Sequence, residues 1–375
     1  MPTDHPPLQW DVFCRVIDNF GDVGVCWRLC RSLASRGQAV RLWVDQAEAL
    51  QWMAPGALEG RWPGILVMPW AAQWPQDRHG QLSRSDVWVE AFGCEPPDAF
   101  IQQQRKLWSS DEQPVWINLE YLSAEPYVER THRLPSPLMS GPAQGWTRWF
   151  FYPGFTSGTG GLLRDTNWLE RLQAREAPGW RDTWRATHIP LAPCNDVWVS
   201  LFCYEPMGLP WLLNHLQTHP TQTLLITPGR AQSAVQSRWP TQTPAPAMPT
   251  RWHLQPWVTQ DAFDDMLTAC DLNFVRGEDS LVRAIWAGQP FVWQIYPQTD
   301  DAHHAKLESF LDWLDAPPDL RAMHHFWNGM NPTPPVQDPW SRLTVWQEVV
   351  RAARDRLLSQ ADLTTQLFEF VAEKR

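Results

Sequence analysis

Lysine is nearly missing from this chain: 375 residues hold only Lys106, Lys306 and Lys374, and the net charge is −10. Nucleic-acid binders ordinarily carry a basic patch, so that class of partner is disfavoured. The chain also lacks an apolar run of the roughly 18 residues that a membrane span requires. Its N-terminus, Met1-Pro2-Thr3-Asp4-His5, lacks the basic and apolar regions of a signal peptide. The seven cysteines (Cys14, Cys26, Cys30, Cys94, Cys194, Cys203, Cys270) form no Cys-x-x-Cys pair and indicate no zinc site. Most fall inside apolar runs, as small core residues do in a reduced cytosol. The expectation is a cytoplasmic protein with neither nucleic acid nor membrane as partner.

What is present suits two ordinary cores, with 43% hydrophobic residues over a length typical of two domains. Tryptophan is abundant at 26 residues and reads mostly as core or interface filler. Apolar runs alternate with helical stripes. In the first half, strands are expected at 10–17, 39–44, 65–68, 87–92 and 115–118, with helices at 23–35 and 97–108. A glycine-rich turn, Gly154 to Gly161, and a helix at 167–175 follow. The pattern restarts with strands at 197–204, 224–227, 272–275 and 291–293. Helices are expected at 210–217, 261–269, 280–287, 302–314, 343–358 and 363–372. Such alternation predicts mostly parallel sheets with helices on their faces, in two successive α/β domains with a cleft between them.

The most informative stretch is Asp18-Asn19-Phe20-Gly21-Asp22-Val23-Gly24, between the first strand and the first helix. An α/β protein binds ligands at such turns. The glycines allow close backbone approach, and the carboxylates lie beside a helix N-terminus that stabilises negative charge. Two acids would repel a diphosphate, so the turn suits a cation or a proton. Asp22 alone reads equally as an N-cap, and Asp18 as a turn former. A cap needs only one of the seven residues.

A second constellation, Arg276-Gly277-Glu278-Asp279-Ser280, ends a strand and opens a helix. Asp279 or Ser280 is a suitable N-cap, and the free N–H groups of the first turn form an anion site. Arg276 and Tyr204 can donate to a diphosphate, and Glu278 can accept from sugar hydroxyls. A capped helix with a surface acid pair is the competing reading.

Gly277-Glu278-Asp279-Ser280, Arg283-Ala284, Ala287-Gly288 and Pro290 resemble the donor-side signature of GT-B glycosyltransferases. Together with Val16 to Gly24, the run Trp116-Ile117-Asn118-Leu119-Glu120-Tyr121-Leu122-Ser123, Phe151 to Phe155, Phe202-Cys203-Tyr204-Glu205 and Phe291 to Gln298, the likeness narrows. The chain resembles the protein-arginine rhamnosyltransferases of bacterial translation elongation factor P, the EarP family, over nearly its whole length. The resemblance implies a GT-B architecture of two facing Rossmann-like domains, at 1–180 for the acceptor and 190–358 for the nucleotide sugar. A C-terminal helix, 359–375, is expected to return to the first domain. It implies metal-free, inverting transfer of L-rhamnose from dTDP-β-L-rhamnose to an arginine of elongation factor P, which activates that factor for ribosomes stalled at polyproline. The family's base falls on Asp22 and its second acid on Asp18. The nucleotide side maps to Phe202, Tyr204, Gln260, Phe263, Arg276, Glu278, Asp279 and Ser280, with Trp257 standing where the family usually has Phe. No cofactor is implied.

Three alternatives stand beside this. A nucleotide-sugar epimerase or glycan transferase would share the fold. A dehydrogenase could use Asp45 at the end of the second strand on a ribose, but Gly21-Asp22-Val23-Gly24 lacks the Gly-x-Gly-x-x-Gly spacing. A non-enzymatic scaffold could bind a partner through its tryptophans. His303-His304 and His324-His325 point apart along a helix and read as surface or cap residues. Glu120, just after a strand, reads equally as an acceptor-side residue or a structural hydrogen-bond acceptor.

Overall fold

Short β-branched and aromatic runs become strands, and the helical stripes between them cover the sheets so formed. The computed structural model describes residues 7–16, 20–70, 82–189, 196–218, 221–238, 251–298, 302–334 and 338–375. In chain order, β1 (Gln9–Cys14) leads to α1 (Gly21–Ser35), β2 (Ala39–Val44), α2 (Leu50–Met53), β3 (Ile65–Pro69) and β4 (Val87–Ala91). Then come α3 (Asp98–Arg105), β5 (Val115–Leu119), α4 (Tyr127–Thr131), β6 (Pro135–Pro137) and β7 (Thr147–Phe151). These strands form one sheet of order β3-β2-β1-β4-β5-β7-β6, parallel except for β6 against β7. Chain order reverses beside β1, which pairs with β2 on one side and β4 on the other.

Both faces are covered at the centre of this sheet, which is why β1, β2, β4 and β5 are buried almost throughout. Val12 and Cys14 of β1 pack with Val23, Cys26, Leu29 and Cys30 of α1. Phe13, Trp43, Trp88, Trp116 and Trp146 pack with Phe100 of α3. The tryptophans here are therefore core. Asp11 is fully buried and bound by the guanidinium of Arg41 at 2.6 Å and the indole N–H of Trp43 at 2.6 Å, which compensates its desolvation.

The second part of the chain runs α5 (Trp168–Glu176), α6 (Trp180–His188), β8 (Val197–Leu201), α7 (Leu209–Thr218), β9 (Gln222–Ile226), α8 (Arg230–Arg238) and β10 (Trp252–Leu254). It continues through α9 (Gln260–Ala269), β11 (Leu272–Arg276), α10 (Gly277–Ala287), β12 (Phe291–Gln294), α11 (Ala302–Trp313), α12 (Pro318–Trp327) and α13 (Leu343–Leu358). Its sheet, β10-β9-β8-β11-β12, is wholly parallel. Here the order reverses beside β8, which lies between β9 and β11.

The chain divides into two compact units, 1–166 with 360–375, and 167–359. The expected boundary at residue 180 is therefore too late. α5 and α6 belong to the second unit because their arginines are tied there: Arg171 to Asp261, Arg175 to Asp265, and Arg181 and Arg185 to Asp271. The last helix, α14 (Leu363–Lys374), belongs to the first unit. Asp362 caps it by accepting from the N–H groups of Thr364 and Thr365, and also accepts from Arg36 at 2.7 Å. Leu363, Leu367, Phe370 and Val371 enter the core beside α1. Burying such side chains stabilises by about 1.5–3 kcal/mol each, so this helix is integral to the first unit.

Candidate active site

In the second unit the site residues gather where β8 and β11 end. Phe202 and Tyr204 follow β8, and the N–H of Phe202 donates to the Phe274 carbonyl of β11 at 2.9 Å. Arg276 closes β11, and its guanidinium carbon stands 4.4 Å from the centre of the Phe202 ring and 4.6 Å from that of Tyr204. One guanidinium N–H donates to the Cys203 carbonyl at 2.8 Å. Burial pulls the Arg276 pKa below the ordinary arginine value, without bringing it near neutrality. Aromatic faces thus hold a cation where its remaining donors can meet an anion.

Helix α10 begins at Gly277, one turn earlier than its sequence suggests. Gly277 has φ of +68°, a left-handed conformation that admits glycine at little cost. A Cβ there would lie 3.5 Å from the Tyr204 hydroxyl, so that phenol stands over the helix start. Burial pushes the Tyr204 pKa up to about 12, only partly countered by Arg276, so the phenol keeps its proton as a donor. The N-cap is Arg276, with no side-chain cap, and the expected caps Asp279 and Ser280 are helical residues instead. Ser280 is buried, and its hydroxyl accepts from the Arg276 N–H at 3.1 Å and donates to the Arg276 carbonyl. That reciprocal pair fixes the entry of the chain into the helix.

Glu278, in the first turn of α10, accepts from Lys306 Nζ of α11 at 2.8 Å. Trp293 Nε1 donates to the Gly277 carbonyl at 2.8 Å, and the Gln294 side chain accepts from the Tyr204 N–H at 2.8 Å. Arg230 lies 4.9 Å from the centre of the Tyr204 ring and pairs with Glu205 at 2.8 Å. Phe263 of α9 meets Phe202 edge-on at 5.5 Å and also leans on Ile189, Trp198 and Met266. Gln260 is buried at the first position of α9, which Thr259 caps by accepting from the Ala262 N–H. Trp257 is 47% exposed and lies over Gly229, whose missing Cβ leaves room for the indole. The sequence alone does not assign Lys306, Arg230 or Gln294 to the site; the rarity of lysine is a signal for the first.

In the first unit, α1 starts at Gly21 with Phe20 as N-cap, whose own side chain makes no capping bond. Asp22 is therefore not the N-cap but an acid of the first helical turn, where the helix dipole favours its charge. Phe20 is 40% exposed and meets Trp52 edge-on. Asp18 lies outside the described residues. Asp45, the residue a ribose would need, accepts from the Val16 N–H at 2.9 Å. That bond gives it a structural role in the β1–α1 connection.

Across the order reversal from Asp22, the end of β4 has an unusual backbone. The Cys94 N–H donates to the Ala91 carbonyl, and Phe92 and Gly93 have φ of +58° and +72°, as in a type I′ turn. That geometry favours Gly, Asn or Asp; a phenylalanine there costs on the order of 1–3 kcal/mol. The Phe92 ring stacks on Tyr121 with centroids 4.6 Å apart. Glu120, beside it, accepts from the Asn118 amide at 2.8 Å. The Tyr152 pKa is raised by burial and by the negative charge of Glu120.

The six described cysteines are free and buried. Among the described residues, no group of three or more His, Cys, Asp or Glu is placed to hold a metal, and no helix is long and apolar enough to cross a membrane. His324 is not a surface or cap residue: it is fully buried, its pKa is lowered to about 4 by that burial, and its Nδ1 bonds the Leu320 carbonyl.

The fold agrees with what the chain is similar to. The model of the Elongation-Factor P (EF-P) rhamnosyltransferase EarP family matches residues 10–372. A protein-arginine rhamnosyltransferase of Pseudomonas putida is 39% identical, over 96% of this chain and 98% of its own. One from Pseudomonas aeruginosa is 37% identical, over 97% and 99%. A solved structure concerned with EarP-mediated arginine glycosylation of translation elongation factor EF-P is 28% identical with a TM-score of 0.61, over 98% of this chain and 99% of that one. The architecture is GT-B, and the chain belongs to the EF-P rhamnosyltransferase EarP family of glycosyltransferases.

Proposed function

We infer that this protein transfers L-rhamnose from dTDP-β-L-rhamnose to an arginine side chain of translation elongation factor P, with inversion and without a metal, in the cytoplasm. The observation that carries this reading is family membership over residues 10–372. The chemistry of the residues supports it.

A guanidinium has a pKa above ~12 and is a poor nucleophile until a base takes its proton. Asp22 orients the arginine and accepts that proton. The freed nitrogen attacks the anomeric carbon in line, the bond from that carbon to the diphosphate oxygen breaks, and the β-linked donor becomes an α-linked product. The electron pair leaves on dTDP. The product guanidinium regains its positive charge from the new carbon–nitrogen bond, so the proton balance closes on Asp22. Asp18 supports the acceptor turn in this scheme.

The second unit receives the donor. Arg276, the Tyr204 phenol and the first-turn N–H groups of α10 stabilise the charge that grows on the diphosphate, as preorganised donors do. They occupy the place where a metal would otherwise be needed. Glu278 and Asp279 take sugar hydroxyls, while Phe202, Trp257, Gln260 and Phe263 receive the thymidine. Ser280 acts through the backbone it holds.

Intact mass of purified elongation factor P, incubated with this protein, dTDP-rhamnose and EDTA, tests the reading. A gain of one deoxyhexosyl group on an arginine is expected. An unmodified factor, with sugar transferred to another acceptor or merely epimerised, overturns it.

A further inference from the structure

The end of β4 carries a feature that the transfer chemistry above does not use. Phe92 occupies a left-handed position that its side chain disfavours, and the turn it opens is followed by a glycine that already suits such backbone. A turn needing only to reverse the chain would be better served by Gly or Asn at position 92. What the phenylalanine adds is its ring, which packs on one side against the core of the first unit and lies flat against Tyr121 with interplanar angle 19°.

Both rings lie at the carboxyl end of the first sheet, where α/β folds place ligands. Phe92 follows β4, the strand beside β1, and Tyr121 follows β5, the next strand along. Asp22 enters from the β1 side of the same order reversal. Tyr121 is 42% exposed. Glu120 precedes it, with one carboxylate oxygen tethered to Asn118.

An exposed aromatic ring next in sequence to the Glu120 carboxylate, at the same end of the sheet as Asp22, suits one kind of partner group: a planar cation. A guanidinium stacks on an aromatic ring and donates sideways to carboxylates at the same time. A nucleotide would stack on the rings but be repelled by Glu120 and Asp22.

We propose that the Phe92–Tyr121 stack, with Glu120, is the platform on which the arginine-bearing segment of the protein acceptor is seated before Asp22 acts. This rests on the function inferred above. Phe92 and Tyr121 are positioning residues, and the strained turn at Phe92 exists to present the stack.

The test is steady-state transfer to intact elongation factor P, with calorimetry of dTDP-rhamnose binding, for the parent protein and for Phe92→Gly, Tyr121→Ala and Tyr121→Phe. Loss of one cation–π contact predicts a rise in acceptor KM of about tenfold in Phe92→Gly and in Tyr121→Ala. The expected kcat at saturating acceptor stays within about threefold, and donor affinity is unchanged. Tyr121→Phe keeps the ring and keeps the parental KM. Phe92→Gly relieves the left-handed strain but also removes a ring packed against the core, whereas Tyr121 is 42% exposed and outside that core, so a parental melting temperature in Tyr121→Ala separates lost recognition from lost folding.

Ring-less variants with parental acceptor KM overturn the inference. So does a Tyr121→Ala protein that loses donor affinity instead, since the stack would then serve the nucleotide. A parent that does not modify elongation factor P overturns the functional reading and this one together; a parent that does, beside indifferent variants, overturns this one alone.

Discussion

The two sheets present their functional residues at equivalent places and prepare them differently. In the second, Phe202 follows β8 and Arg276 ends β11, flanking the reversal of strand order. In the first, Asp22 follows β1 and Phe92 follows β4, flanking the corresponding reversal. Around Arg276 the neighbours are locked: two ring faces, the Cys203 carbonyl, Gln294 on Tyr204, Trp293 on Gly277 and Lys306 on Glu278. Before Asp22, the N-cap residue Phe20 offers no capping side chain, and Phe20 and Tyr121 are 40% and 42% exposed. A small anionic ligand of fixed shape rewards a prebuilt site, because little ordering remains to be done on binding. An arginine delivered on a protein is oriented largely by contacts made elsewhere on that protein.

Removing the base should break this division most sharply. Asp22→Asn keeps the shape of the side chain and should lower turnover by at least ~100-fold, the scale of positioned acid–base catalysis. Affinity for dTDP-rhamnose, measured by calorimetry, should not change. Near-parental turnover would move the base elsewhere, with Glu278 the first residue to examine.

The converse experiment removes the cation of the second unit. Arg276→Lys retains charge but loses the planar group that lies against Phe202 and Tyr204 and donates to Cys203. Donor affinity should fall about thirtyfold, in the range of a charge-assisted bond. Equal affinity for both proteins would mean that the α10 N–H groups alone hold the diphosphate.

A third test addresses stability. Glu90 of β4 is fully buried, and its pKa is raised from 4.5 to about 7 by burial, against the opposing pull of Arg148 and the Trp116 N–H. The folded protein therefore holds a proton that the unfolded chain has already lost. Stability from this group is complete below pH 4.5 and is lost as pH rises through about 7. Over that window the loss should be on the order of 2 kcal/mol, read from urea midpoints. Glu90→Gln should flatten the slope; an unchanged slope would show that Arg148 keeps Glu90 ionised throughout.

The smallest effect is expected at Lys306→Met. Its pair with Glu278 is about one-fifth exposed on each side, so donor affinity should fall only about two- to fivefold. A loss as large as that of Arg276→Lys would make Lys306 a direct ligand of the donor.

Much of this was legible in the chain itself. Buried parallel strands such as Ala39–Val44 and stripes such as Leu343–Leu358 follow from period alone, and the structure has them at those bounds. Other elements were not legible. β7, Thr147–Phe151, shows no alternation and becomes a strand only by pairing with β5 and β6. α8, Arg230–Arg238, is mostly polar and offers only Ala231, Ala234 and Val235 to the core. α5 looks like part of the first domain until Arg171 and Arg175 reach Asp261 and Asp265.

The sequence by itself determined the α/β class, the two acid-bearing turns and the family, because strand period, glycine positions and long motifs are local and need no partner to be read. Tertiary structure decided where α10 begins, that Lys306 joins Glu278, and that Phe92 lies on Tyr121. Each of these depends on residues far apart in the chain or on a backbone angle, and neither is written in the spacing of side chains.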